Sequence, residues 1–319
     1  MVISWLVEHL FGALHTFGLV PGVPTPFNDR LAKLDPYDST LDNDVYNNDS
    51  FDWAKSGLEL LNPVRVGYFM DKLHRRISSL DASSKQQPIT ILDLGCGAGL
   101  AIEAIHSCLI RSSKDPSKVK ITKNGINDGE VQYKLIGIDM SARSIELARQ
   151  RAESRSMSIS YIVGDIYDLQ LDTNSIDAII CSDVLEHIFD LPCAFSSISR
   201  VLKPNGIFSF DTINRTPTSY YLSIFILQDI LKAMQGDVHD HKLYVTPDEV
   251  HGVMQAAGLR PGPKKDLVGM RPGIRFPPMG LYRFMTGQGF VSSFLAEFRL
   301  TSDLSISYLH WCDKASSLA

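Results

Sequence analysis

The chain has 319 residues, of which 44% are hydrophobic, so it can bury a sizeable core. Thirty-six acidic and 31 basic side chains give a net charge of −5, which argues against a protein that binds nucleic acid through its phosphate backbone. The five cysteines form no Cys-x-x-Cys pair, which argues against a disulfide scaffold or zinc ribbon and favours an intracellular, reducing compartment.

The first 20 residues are mostly apolar and predict a helix with one narrow polar stripe. Ser4, Glu8, Gly12 and His15 recur at helical spacing. The apolar run is too interrupted to span a bilayer, and it lacks both the basic leader of a secretory signal and the arginines of a mitochondrial presequence. Two interpretations are open: a helix docked on the main domain, or a helix that lies in a membrane interface.

A polar segment separates this helix from the rest of the chain. Asp29 to Asp52 contains seven aspartates with little periodicity, which predicts a loop or lid and most simply a solvated linker. Asn62-Pro63 then predicts a helix start, with Asn62 as the cap, and the helix runs to about Leu80. We therefore divide the chain into an N-terminal extension, residues 1–60, and a main domain, residues 61–319.

From Ile89 onward, short apolar strands alternate with helices. This order predicts an α/β fold, a doubly wound and mostly parallel sheet with helices on both faces. Residues 111–132, rich in Lys, Ser, Asn and Gly, predict a surface insertion. The predicted strands are Ile89–Leu94, Leu135–Asp139, Tyr161–Val163, Ile176–Cys181 and Ile207–Phe210, and the predicted helices are Leu100–Ile110, Ala142–Arg155 and Cys193–Leu202.

A glycine-rich turn joins the first strand to its helix and reads Leu-Gly-Cys-Gly-Ala-Gly from Leu94. Glycines let the backbone turn sharply and approach a ligand, and the helix start supplies unpaired N–H groups. Asp139, at the end of the second strand, follows Gly97 by about 20 residues once the insertion is subtracted, the separation typical of a ribose-binding carboxylate. Asp165, at the end of the third strand, suits an adenine amino group, and Ile166 suits the face of the ring.

Further motifs flank this turn in a fixed order. Asn62-Pro63-x-Arg65 precedes it, and Asp183-x-x-Glu186-His187 and Asn214-Arg215 follow the fourth and fifth strands. Between about Phe51 and Lys314, the series resembles the ubiquinone-biosynthesis O-methyltransferases, which are class I S-adenosylmethionine-dependent methyltransferases. The resemblance implies a Rossmann-like sheet of seven strands, S-adenosylmethionine as cofactor, and methylation of a polyprenylated dihydroxybenzene. The cofactor-binding residues that it implies are Arg65, Asp93, Gly95, Cys96, Gly97, Gly99, Asp139, Met140, Asp165, Ile166 and Ser182.

The Asp183-x-x-Glu186-His187 motif is the candidate catalytic centre. Residues at positions i, i+3 and i+4 share one face of a helical turn, so these three side chains could hold Mg²⁺, Mn²⁺ or Zn²⁺. The family is associated with a divalent cation at this motif, and a catechol bound to the metal would lose its proton more readily. Without a metal, His187 is the base that takes the phenolic proton, and in either case His239 or Asp240 could assist. Both interpretations are open at this point.

Two apolar stretches follow the fifth strand, within a predicted lid region of residues 216–300. Tyr220–Leu227, which continues to Met234, predicts either a core helix or an interfacial helix that admits a polyprenyl chain. Phe276–Phe284 is broken by prolines and predicts a lid over an apolar acceptor. With the resemblance, these stretches leave open a peripheral location on a membrane, the mitochondrial inner membrane included, and partners in a quinone-biosynthesis complex.

Three departures from the family pattern bear on the acceptor more than on the reaction. Ala98 stands where the family has glycine, Asp183 where glutamate is common, and Gly269-Met270-Arg271-Pro272-Gly273 where the family has Tyr-Asn-Pro. O-methylation of another phenolic metabolite is therefore a second hypothesis. A noncatalytic cofactor-binding protein is a third, and the intact acidic-x-x-Glu-His motif argues against it.

Overall fold

The computed structural model describes residues 2–24, 33–35, 39, 41, 43–48, 51–53, 56–78, 80, 87–111, 118–123, 126–230, 238–274, 277–287, 293 and 295–316. Its helices are α1 Val2–Thr16, α2 Asn62–Ser78, α3 Leu100–Arg111, α4 Ala142–Ser154, α5 Leu191–Val201, α6 Pro217–Ser219, which continues as a π-helix over Tyr220–Ile230, α7 Pro247–Ala256 and α8 Pro277–Met285. Its strands are β1 Ile89–Leu94, β2 Lys118–Lys123, β3 Ile126–Asp139, β4 Ser160–Val163, β5 Ile176–Ser182, β6 Leu202–Ile213, β7 Leu259–Pro261, β8 Val268–Ile274, β9 Leu295–Thr301 and β10 Ser307–Lys314.

Seven strands form the predicted doubly wound sheet, in the order β4-β3-β1-β5-β6-β10-β7. The first five are parallel, and β10 runs antiparallel to both of its neighbours. Helices α2, α3 and α4 cover one face around Phe69 and Ile102, and α5 and α7 cover the other around Phe195 and Met254. Both faces are apolar because parallel strands carry helices on each side. The predicted fold class is confirmed.

Two hairpins extend this sheet. Strand β2 pairs antiparallel with the first half of β3, so the predicted insertion is largely a hairpin and the second strand begins at Ile126 instead of Leu135. Val119 and Ile121 alternate with lysines in β2, and the Asn124-Gly125 sequence is typical of a hairpin turn, so the sequence carried a hairpin signal that the insertion prediction missed. The second hairpin, β8–β9, pairs with β10 and carries α8 between its strands.

The N-terminal helix is docked on the main domain by its inner face. Val7 and Phe11 pack against Tyr221 and neighbouring apolar side chains, and Glu8 accepts a hydrogen bond from the Thr218 hydroxyl at 2.9 Å. The docked interpretation therefore holds for this face, while the predicted division at residue 60 stays a prediction. Among the described residues, no helix combines the length and the apolar character needed to cross a bilayer.

The π-helix is partly core. Tyr220, Tyr221 and Ile224 are buried together with Tyr244, and the tyrosine hydroxyl of Tyr244 lies 2.8 Å from Ser223 Oγ. The structure therefore supports the core interpretation for this face of the segment. Residues 231–237, which end the predicted apolar stretch, lie outside the described residues.

Candidate active site

The carboxyl ends of β1 and β3 bring the glycine turn and Asp139 together. Leu94 pairs with Ile138 in the parallel register, so the residues that follow each strand meet at one edge. The backbone N–H groups of Gly95 and Cys96 donate to the Ile138 carbonyl at 2.8 and 2.9 Å. One Asp139 oxygen accepts from the Gly97 N–H, also at 2.8 Å, which joins the turn to the predicted ribose acceptor.

Two glycines of the turn are required by both conformation and contact. Gly95 and Gly97 have φ values of 74° and 51°, in the left-handed region that favours glycine. A Cβ at Gly97 would lie 2.3 Å from the ring of Trp53, and one at Gly95 would lie 2.4 Å from a methyl group of Val184. The turn therefore presents bare backbone to its surroundings, as close approach by a ligand requires.

The other predicted cofactor residues lie along the same edge in different environments. Asp93 is buried and accepts from the Ile102 N–H at 3.1 Å, so it holds the first turn of α3, and burial raises its pKa to about 7. Asp165 is exposed and accepts from the Tyr167 N–H. The remainder range from buried to exposed: Cys96 is buried, Ser182 and Ile166 are half-buried, and Met140 is exposed.

The acidic N-terminal segment packs on this site and is not a solvated linker. The Tyr46 carbonyl accepts from the Ser141 hydroxyl at 2.9 Å, beside Asp139, and the Trp53 ring lies against Gly97. The Tyr46 ring stacks on Trp53 and meets His187 edge to face, with centroids 6.0 Å apart. The linker interpretation is therefore wrong for these residues. Three aromatic residues within a polar run were the signal that could have identified them.

Arg65 is held by carboxylates in the interior. Its guanidinium lies 2.5 Å from an Asp183 oxygen and 3.2 Å from an Asp211 oxygen, and Arg65 and Asp211 are almost fully buried. Burial raises the pKa of Asp211 to about 7, although the Arg65 charge opposes that shift. The Nε atom of Arg65 is buried without a hydrogen-bond partner. The role predicted for Arg65, facing the carboxylate of the cofactor, stays a prediction. The participation of Asp211 was not predicted from the sequence.

The Asp183-x-x-Glu186-His187 side chains do not converge as the helical spacing predicted. Asp183 has a φ of 51°, so the chain turns sharply before the single helical turn Leu185–His187. Asp183 then points to Arg65, while the buried Glu186 carboxylate accepts from the Thr212 hydroxyl at 2.7 Å. Within the described residues, no three His, Cys, Asp or Glu side chains are arranged to hold a metal ion.

His187 and His239 form a pair of neutral imidazoles at this edge. Their ring centroids are 5.8 Å apart, and both Nδ1 atoms are shielded from solvent without a hydrogen-bond partner. Burial lowers the pKa of His187 to about 3 and that of His239 to about 4, while the Asp183 charge opposes both shifts. A neutral imidazole has a lone pair free to accept a proton. His187 remains half-exposed, which leaves part of its ring accessible.

Residues 85–258 match the family described as a methyltransferase domain. This chain belongs to that methyltransferase family. It is similar to the ubiquinone biosynthesis O-methyltransferase of Methylocella silvestris, with 29% identity over 216 residues, which cover 66% of this chain and 75% of the relative. The enzyme of the same name from Coxiella burnetii is 26% identical over 263 residues, 81% of this chain and 88% of the relative.

This chain is also similar to the solved structure of a geranyl diphosphate methyltransferase in complex with GPP and sinefungin. The match covers 79% of this chain and 77% of that chain. Its TM-score is 0.47 and its identity 15%.

The family assignment makes this methyltransferase an S-adenosylmethionine-dependent enzyme. The resemblance to the ubiquinone-biosynthesis O-methyltransferases, predicted from the motifs, is confirmed by these relatives. The edge fits the cofactor, because bare glycine backbone adjoins a carboxylate that can accept from two ribose hydroxyls.

Proposed function

We propose that this methyltransferase methylates a phenolic hydroxyl of a prenylated dihydroxybenzene, with His187 as the general base. The proposal rests chiefly on the placement of the neutral His187 imidazole, which two aromatic rings, Tyr46 and Trp53, link to the glycine turn. The names of the relatives support the same reaction, since they are ubiquinone biosynthesis O-methyltransferases.

The chemistry needs a base because a phenol has a pKa near 10 and is mostly protonated at neutral pH. The cofactor supplies a methyl group on a sulfonium. With the cofactor bound beside the glycine turn, this methyl group would be available to the phenolic oxygen, and His187 would take the phenolic proton. The Asp183 carboxylate favours the imidazolium that results, because its charge opposes the burial that lowers the pKa of His187 to about 3. A positioned base of this kind contributes about 10²–10⁴-fold to a rate.

The proposal does not use a metal ion. Asp183 is already paired with Arg65, and Glu186 is turned to Thr212, so the donor set predicted for a divalent cation is divided between two other partners. The metal interpretation therefore has no support from this arrangement.

An aromatic route from His187 toward the N-terminal helix supports an acceptor with a prenyl chain. The ring centroids of His239 and Tyr244 are 6.1 Å apart, and those of His241 and Tyr220 are 5.4 Å apart. The route continues through Tyr221, whose ring stacks on Phe11 of α1 at 4.5 Å. In the structure these rings are packed against one another in the core, and they would separate to admit an aromatic ring with a hydrocarbon tail, which suits apolar and aromatic surroundings. Peripheral association with a membrane and partners in quinone biosynthesis are expectations of the same proposal.

The test is a comparison of acceptors with methyl-labelled S-adenosylmethionine. The panel holds a prenylated catechol, the same catechol without its prenyl chain, and the prenylated compound with both hydroxyls already methylated. We expect label on oxygen with the first two acceptors, higher kcat/KM for the prenylated one, and none with the third. Prior treatment with EDTA should leave the rate unchanged. Transfer to carbon or nitrogen would contradict O-methylation, and loss of activity restored by Mg²⁺ would contradict the metal-free mechanism.

A further inference from the structure

The β8–α8–β9 excursion carries a charge opposite to that of the whole chain. Residues 268–301 contain four arginines and a single acid, Glu297, for a net charge of +3, whereas the chain as a whole has a net charge of −5. The excursion projects from β10, outside the seven-stranded core sheet. Its charge is therefore concentrated on one appendage, which can act as a local recognition surface.

Two of these arginines form an unusual cross-strand pair. Arg271 of β8 lies directly opposite Arg299 of β9, and both are exposed. Side chains opposite each other in an antiparallel pair lie on the same face of the sheet, where like charges are destabilising. Among the described residues, neither guanidinium has a carboxylate partner. Met270, on the alternate face, is buried in the core, so the arginines point outward.

Helix α8 adds a hydrophobic face to the same excursion. Met279, Tyr282 and Met285 are 56, 67 and 77% exposed, and Leu281 is also more than half exposed. The lid over an apolar acceptor that the sequence predicts for the Phe276–Phe284 stretch stays a prediction. Arg271 lies three residues before the end of β8, about 10 Å along the strand, and α8 begins three residues beyond that end.

We propose that the β8–α8–β9 excursion is a docking surface for an anionic lipid bilayer. Arg271 and Arg299 bind lipid phosphates, which relieves their mutual repulsion, and the apolar side chains of α8 enter the interface between head groups and acyl chains. The charge complementarity selects a bilayer with anionic head groups, since a neutral surface would leave the arginine pair uncompensated. Strand β8 runs parallel to β6, so α8 follows the same edge of the sheet as the site, and the proposal rests on the charge and exposure of the excursion and not on the identity of the acceptor.

The experiment is flotation of the full chain with vesicles of phosphatidylcholine alone or with 30% phosphatidylglycerol. We expect binding to the anionic vesicles only, weakened by salt. Arg271→Gln/Arg299→Gln should reduce the apparent affinity about 10- to 30-fold, since each arginine near an anionic surface contributes roughly tenfold or less. Lys264→Gln/Lys265→Gln, which removes two exposed charges from another turn, is the matched control and should have little effect.

The apolar face is tested separately. Met279→Ser/Tyr282→Ser/Met285→Ser should abolish flotation while the methylation of a water-soluble catechol stays unchanged. Trp5→Ser/Leu6→Ser/Leu10→Ser, on the exposed face of α1, is its control and should retain most of the binding. The proposal would be overturned if the Arg271/Arg299 variant and the α8 variant both floated with anionic vesicles to the same extent as the wild type. A second result would also overturn it: the wild type is a dimer, and the α8 variant is a monomer that still binds vesicles. The apolar face of α8 would then join two copies of the chain.

Discussion

Asp139 links the conformation of the glycine turn to the recognition of the cofactor. Its two oxygens accept from the N–H groups of Gly97 and Ser141, both at 2.8 Å. Each carboxylate oxygen has a second lone pair, so Asp139 can hold this turn and still accept from ribose hydroxyls. Burial raises the pKa of Asp139, while these two backbone donors oppose the shift by favouring the charged form.

We expect Asp139→Ala to weaken the binding of S-adenosylmethionine at least about tenfold, because two charge-assisted hydrogen bonds to the ribose are lost. Isothermal titration calorimetry gives the dissociation constant. Asp168→Ala, which removes an exposed carboxylate near the end of the third parallel strand, should leave that constant unchanged. An unaltered constant in a folded Asp139→Ala variant would contradict the ribose assignment.

How far single residues could be predicted depended on whether their signal was local. Gly95, Gly97 and Asp139 were predictable because each follows a strong apolar strand at a fixed position. The directions of Asp183 and Glu186 were not, because the left-handed backbone at Asp183 breaks the helical spacing on which the prediction relied. Asp211 lies in an apolar strand, and its ion pair with Arg65 depends on the register of β5 against β6.

At the scale of elements, an interior ion-pair network ties α2 to the ends of β5 and β6. Arg65 from α2 meets Asp183 after β5 and Asp211 within β6. Two carboxylates share one guanidinium in a largely buried place, so the removal of the cation leaves uncompensated negative charge. The network fixes the helix against the edge on which the glycine turn and His187 lie.

Arg65→Met should therefore lower the free energy of unfolding by about 3 kcal/mol or more. Urea denaturation followed by circular dichroism measures the change, and a second substitution, Asp211→Asn, should recover part of the loss by removing one of the stranded charges. Arg75→Met, on the same helix but half-exposed, should cost less than about 1 kcal/mol. An Arg65 variant as stable as the Arg75 variant would show that the network contributes little.

Elements with a regular apolar pattern were predictable, and those held by tertiary contacts were not. Strand β1 has its predicted bounds because five of its six positions are apolar or buried and they run between polar and glycine boundaries. The β2–β3 hairpin was missed although Val119 and Ile121 alternate with lysines, because the polar composition of the insertion outweighed that short pattern. Tyr46 and Trp53 escaped prediction because they are held by contacts with Ser141, Gly97 and His187.

For the whole molecule, His187 and His239, whose side chains are only partly exposed, make stability depend on pH. The pKa values of His187 and His239 are about 3 and 4 in the folded protein, below the usual value near 6.5 in the unfolded chain. Between these limits the unfolded state binds more protons, so these groups contribute stability above pH 6.5 that is lost as the pH falls toward 4. Asp93, whose pKa is raised to about 7, acts in the opposite direction over much of this range.

We expect the double variant His187→Gln/His239→Gln to lose less stability than the wild type between pH 7 and pH 5. Urea unfolding at several pH values gives the slope of the unfolding free energy against pH for each protein. Asp93 contributes equally to both slopes, so their difference gives the contribution of the two histidines. His9→Gln/His15→Gln changes two exposed histidines of α1 and is the comparison for a general effect of histidine removal. Parallel slopes for the wild type and the His187/His239 variant would mean that the pair titrates normally in the folded state.

The methyltransferase proposal depends on His187 as the base, and a single-turnover measurement tests it most directly. Enzyme saturated with methyl-labelled S-adenosylmethionine is mixed with a short-chain prenylated catechol after chelation of metals, and the rate constant for methyl transfer to oxygen is followed by rapid quench. We predict that His187→Gln lowers this rate constant about 10²- to 10⁴-fold, with the cofactor dissociation constant little changed. A variant that transfers the methyl group at the wild-type rate would contradict the assignment of His187.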